Sequence, residues 1–83
     1  MTTSPSPISP AAAEFGARVR QRRQALGKTL EQLAGDSDLH WSFLGQVERG
    51  RRNLTLHNIL KVAVALRVDP GELVQGLKPP RSS

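Results

Sequence analysis

The sequence predicts an all-α fold, a compact bundle of five short helices, on three observations. Apolar residues recur at spacings of three and four, with no alternating stretch that would mark a strand. Residues suited to starting helices (Pro10, Thr29, Thr55 and Asp69) stand before these apolar runs, and Gly27 and Gly50 close two of them. Finally, 83 residues suffice for one small domain, whose core is marginal enough for a partner subunit to contribute to its stability.

Taken in order, residues 1–10 contain three prolines and one substantial apolar residue, Ile8, and read as a flexible arm. Pro10 suits the start of a first helix over about Ala11 to Leu26, stopped by Gly27. Phe15, Val19 and Leu26 share its inner side, with Arg18, Arg20, Arg22 and Lys28 mostly on its other faces. A second helix opens at Thr29, where Gln32 stands in position to complete a reciprocal cap. Leu30, Leu33 and Ala34 form its buried stripe. After a tight turn, Phe43, Leu44 and Val47 repeat that spacing in a third helix, for which Gly50 is the candidate C-cap.

Thr55 caps a fourth helix ending near Leu66, with a broad apolar face of Leu56, Ile59, Leu60, Val62, Ala63 and Leu66. Asp69-Pro70-Gly71-Glu72 provides an acidic N-cap, proline at N1 and Glu at N3 for a short fifth helix burying Leu73, Val74 and Leu77. The ordered domain is therefore placed at 11–78, with a flexible tail at 79–83.

Twelve Lys and Arg against seven Asp and Glu leave a net charge of +5, which suits a polyanionic partner, nucleic acid before an anionic membrane. The absence of cysteine excludes disulfides and thiolate metal sites. His40 and His57 have no ligand constellation around them, so neither a metal nor a cofactor is expected. Nothing approaches the run of about 18 apolar residues that a membrane helix needs. The N-terminus also lacks the pattern of a secretory signal, so a soluble, cytoplasmic protein is expected. With no paired carboxylates, nucleophile–base set or Gly-rich phosphate loop, no catalytic residues are assigned.

Two short helices joined by a tight turn form the unit that lays its second helix in the DNA major groove. With His40 as N-cap, Trp41, Ser42, Gly45 and Gln46 fall on the outward face of the third helix. Gln46 is the best candidate for base readout, since its amide can pair with adenine N6 and N7. Ser42 can reach a base or a phosphate. Trp41 either packs on thymine methyls or the sugar edge, or caps the core. Gly45 permits close approach to DNA or to another helix. The backbone amides of Thr29 and Leu30 present a helix start to phosphate. Arg51, Arg52 and Asn53 follow on the other side, with Arg52 also able to reach guanine.

Residues 15 to 77 resemble the lambda-repressor-like, or XRE-type, helix-turn-helix family. The likeness rests on Phe15 to Arg20, Arg23, Thr29 to Ala34, Val47 to Asn53, Ala65 to Val68, and Glu72-Leu73. Glu48-Arg49-Gly50-Arg51-Arg52-Asn53-Leu54-Thr55 looks most like the controller proteins of restriction–modification systems. The resemblance implies a five-helix bundle, usually a homodimer on a palindromic operator, with an ion pair between Arg23 and Glu48 linking the first and third helices. Candidate partners are double-stranded operator DNA, a second copy of the chain and RNA polymerase.

Val68, Val74 and Leu77 are the candidate dimer interface, while Leu66 and Leu73 are expected to fill the core. Ser37, Asp38 and Trp41 depart from the family pattern of an apolar residue, a Gly or Asn, and a polar residue or Arg. Alternative readings are a phage-type repressor, an antitoxin, or a protein-interaction adaptor without operator binding. The basic loop, and the lack of acidic residues among the reading positions, argue against the adaptor.

Overall fold

The structure is a computed structural model that describes residues 6–81. Its helices are α1 (Pro10–Ala25), α2 (Leu30–Ser37), α3 (Trp41–Glu48), α4 (Leu56–Leu66) and α5 (Pro70–Val74). Local chemistry accounts for nearly every boundary. Ser9 caps α1 by accepting from the Ala12 amide at 3.0 Å, which places Pro10 inside the first turn. Thr29 and Gln32 cap α2 reciprocally, Thr55 caps α4, and Asp69 with Glu72 forms a reciprocal cap on α5.

All five helices contribute to one core, built from Phe15, Val19, Leu33, Ala34, Leu44, Val47, Val62, Ala63, Ala65, Leu66 and Leu73. The long α1 packs against α3, α4 and α5, while α2 packs against α3 and α4. Gly16 sets the closest approach between α1 and α3. A Cβ there would lie 2.2 Å from the Val47 carbonyl oxygen, so no larger residue fits without moving backbone.

The α2–α3 turn uses two residues that depart from the family pattern. Ser37 is buried, and its hydroxyl donates to the Leu33 carbonyl at 2.7 Å, so the polar group is satisfied inside its own helix. Asp38 takes the left-handed conformation (φ 57°), and the next amide, from Leu39, returns to the Ala34 carbonyl at 3.0 Å.

Three expectations require correction. The arm at 1–10 is held in part: the Ile8 amide donates to the Gly50 carbonyl at 2.8 Å and Arg51 donates to the Ser6 carbonyl. Residues 1–5 and 82–83 lie outside the described residues, so the arm and tail expectations there do too. On α4, Leu56 and Leu60 are exposed rather than buried, because Ile59, Val62, Ala63 and Leu66 already fill the inward arc. On the α5 side, Val68 and Leu77 pack against the protomer's own core, and Val74 turns outward instead of joining the buried side.

Candidate nucleic-acid interface

His40 caps α3 through Nδ1, which accepts from the Ser42 amide at 3.1 Å and stands 2.7 Å from the Ser42 hydroxyl. The first turn of α3 is thus fixed by a side chain that lies on the exposed surface itself. Trp41 stacks against the His40 ring with centroids 5.7 Å apart and remains 54% exposed. That exposure removes the core-capping role for Trp41. A large aromatic left in water at the tip of a helix is a ready contact surface.

Gln46, Arg49, Arg51 and Arg52 line one polar hollow at the other, C-terminal end of α3. The Arg52 Nε donates to Gln46 Oε1 at 2.5 Å, and the guanidinium stands 5.7 Å from the centre of the Phe43 ring. Gln46 therefore has its carbonyl oxygen engaged, while its amide NH₂ makes no hydrogen bond among the described residues. A bidentate contact to adenine would require that oxygen to be shared with Arg52 or released by it. The two side chains form one unit.

Arg49 is the site residue that sequence reasoning misses. It stands three residues after Gln46, close enough on a helix surface to meet it, and that spacing is the signal that could have found it. Asn53 is exposed and borders a separate cleft with the arm and Pro79.

Two assignments change. Gly45 is buried, not outward: a Cβ at that position would meet Leu30 of α2 at 3.4 Å and the Arg49 guanidinium at 3.5 Å. These are ordinary contact distances, so the packing of α2 on α3 does not itself require glycine there. The Thr29 amide is also taken, since it donates to Gln32 Oε1 at 2.8 Å within the cap. Leu30 stays half-buried, with its backbone amide at the first position of α2. Exposed Glu31 in that turn partly offsets the attraction of the helix start for anions.

Helix α3 is anchored to α1 by Arg23 and Glu48. Arg23 Nε and Nη2 donate to the two Glu48 carboxylate oxygens at 2.6 and 2.9 Å, a bidentate pair across the helices. Its Nη1 also donates to the Lys28 carbonyl at 3.0 Å. The hydrogen bond to Glu48 raises the Arg23 pKa above its ordinary value, so the guanidinium stays charged at every working pH.

The rest of α1 uses its cations differently. Arg18 donates to the Leu73 and Gln75 carbonyls at 3.2 and 2.8 Å, and Arg22 donates to the Leu66 carbonyl at 3.0 Å. Lys28, just beyond α1, reaches the Ala65 carbonyl at 2.7 Å and pairs with Asp36 at the same distance. These side chains close the C-terminal ends of α4 and α5, where carbonyls lack helical partners.

A family described as a helix-turn-helix domain matches residues 14–76. The chain belongs to that family. It is 43% identical over 61 residues to the control protein C.BamHI of Bacillus amyloliquefaciens, spanning 72% of this chain and 75% of that one. It is also similar to the crystal structure of the restriction–modification controller protein C.AhdI from Aeromonas hydrophila. That match has a TM-score of 0.73 and 50% identity, and covers 75% of this chain and 94% of the other. SinR, a master regulator for biofilm formation solved in complex with DNA, is similar with a TM-score of 0.71 and 29% identity. The match covers 74% of this chain and 98% of SinR.

Proposed function

We propose that this chain is a sequence-specific DNA-binding transcriptional regulator of the restriction–modification controller type. It acts as a homodimer on a palindromic operator, with α3 of each copy in the major groove. The observation that carries this reading is the exposed side of α3, with Trp41 and Ser42 in water at its start and the donor-rich cluster of Gln46, Arg49, Arg51 and Arg52 around its end. In that surface Trp41 contacts thymine methyls or the sugar edge, and the Gln46–Arg52 pair reads base acceptors such as guanine O6 and N7. Arg49 and Arg51, with the open amide of Leu30, grip phosphates on either side. Thr29 contributes through its cap, His40 by fixing the first turn of α3, and Asn53 as a polar flank.

C.AhdI and C.BamHI carry the controller designation, and their similarity to this chain supports the subtype. Where the operator adjoins a promoter, RNA polymerase is a further partner. Such a protein works inside the cell, where the DNA is.

The test is footprinting on the DNA upstream of the chain's own gene, followed by titration at several salt concentrations. Protection of two half-sites one helical turn apart, about 34 Å, is the expected pattern. If each copy neutralises about five phosphates, log K against log salt has a slope of about −9 for the dimer. Absence of protection, or a slope near zero, overturns the reading.

A further inference from the structure

Ser42 stands exposed in the first turn of α3 and carries the helix's one hydroxyl. A serine hydroxyl is ordinarily ambiguous toward DNA. It can donate its proton to a phosphate or a base acceptor, or accept from a base amine. Here its neighbour removes the ambiguity. The Ser42 backbone amide lies 3.1 Å from His40 Nδ1, and an amide N–H only donates, so Nδ1 holds a lone pair. In the neutral ring the proton then sits on Nε2. The Ser42 hydroxyl oxygen stands 2.7 Å from the same Nδ1. Two lone pairs do not face each other at that distance, so the hydroxyl proton is directed at His40. Trp41 stacks against the imidazole and helps to hold it where both donors meet it. Among the described residues the hydroxyl has no other hydrogen-bond partner, and its remaining lone pair faces water.

We propose that Ser42 is a specificity-determining residue that accepts from an exocyclic amine in the major groove, adenine N6 or cytosine N4. His40 is the positioning residue that sets this polarity. The inference rests on the DNA-binding reading above and names one element of its base recognition. Those two amines are the only base donors that the major groove presents. Phosphate oxygens, guanine O6 and N7, and thymine O4 are all acceptors, and so is the Ser42 oxygen once its proton is committed to Nδ1. Holding a phosphate or a guanine would require the hydroxyl to leave His40. The placement fits as well, because the N-terminal residues of a helix in the groove are those that meet base edges.

The ring is tested first, without DNA. Long-range proton–nitrogen spectra of the full chain at mildly alkaline pH should show His40 protonated on Nε2. Protonation on Nδ1 overturns the proposal. Competition binding then uses operator variants carrying each base in turn. At one position per half-site the parent should prefer adenine or cytosine about three- to tenfold, and Ser42→Ala should lose that preference. Replacing the preferred base by its analogue without the amine, purine for adenine or pyrimidin-2-one for cytosine, should cost the parent a similar factor and Ser42→Ala none. Affinity for random duplex and the helical circular dichroism of Ser42→Ala should match the parent's. His40→Asn keeps a carbonyl that can accept both bonds and should keep the preference. A folded His40→Ala variant frees the hydroxyl to donate and should lose it. An equal loss on every sequence with Ser42→Ala places the hydroxyl on phosphate and overturns the proposal. So does a preference that shifts at guanine or thymine, or one that survives in folded His40→Ala. A parent that binds no duplex at all overturns the DNA reading as well, whereas these other outcomes leave that reading standing.

Discussion

The basic residues of α1 and those around the end of α3 are the same chemical type in opposite surroundings. Arg18, Arg22 and the adjoining Lys28 direct their donors at the carbonyls that end α4 and α5, and Arg23 grips Glu48. Arg49, Arg51 and Arg52 surround a polar hollow, and their contacts within the fold, to the Ser6 carbonyl and Gln46, leave most of their N–H donors open. A net charge of +5 therefore overstates how evenly the cations face an outside partner. Arg18, Arg22, Arg23 and Lys28 hold helices together, whereas the α3 group is open to a polyanion. Charge count suggests a partner class; position decides which cations meet it.

Four substitutions would break or sharpen this contrast. Gly16→Ala should have the largest effect, since its Cβ would strike the Val47 and Glu48 carbonyls. A loss of about 3 kcal/mol or more is expected in chemical denaturation. Normal stability would mean that α1 and α3 can separate without consequence. Arg23→Ala follows, because it leaves the Glu48 carboxylate, 8% exposed, without its partner. Unfolding titrations should show a loss on the order of 3 kcal/mol, together with weaker DNA binding as α3 loses its anchor. Changing both residues to apolar ones of similar volume should restore much of the stability.

Arg22→Ala should lower stability by about 1.5 kcal/mol by removing the bonds to the carbonyls that end α4. Thermal melts would detect it, while the salt dependence of DNA binding by the folded protein stays as in the parent. The smallest effect is expected at Gly45→Ala. A Cβ there would meet Leu30 and Arg49 only at ordinary contact distance, so better helix propensity should raise stability by up to about 1 kcal/mol. DNA affinity should stay close to the parent's. A sharp fall in affinity with an intact fold would restore the close approach of Gly45 to DNA.

What the sequence made legible divides along a similar line. Ser9 aside, the helix starts follow from residues within three positions of one another, so Thr29, His40, Thr55 and Asp69 could be found by reading along the chain. The bonds of Arg18 and Arg22 to the ends of α4 and α5 cross 44 to 57 positions, and no local pattern encodes them. Gly45 misled because helical periodicity alone leaves it at the border of the buried arc, where the side chains of Leu30 and Arg49 decide its exposure. Leu56 and Leu60 misled for a related reason. An apolar residue on a helix predicts burial, but Ile59, Val62, Ala63 and Leu66 already fill the inward arc of α4.

The division of cations is tested most directly by measuring the salt slope of operator binding for Arg49→Ala and Arg22→Ala beside the parent. Removing one phosphate-binding cation should reduce the slope by about 0.9. Arg49→Ala is predicted to melt like the parent, bind more weakly and show a shallower slope, while Arg22→Ala melts earlier and keeps the parent's slope. The opposite assignment, with a shallower slope for Arg22→Ala and an unchanged one for Arg49→Ala, would contradict the account.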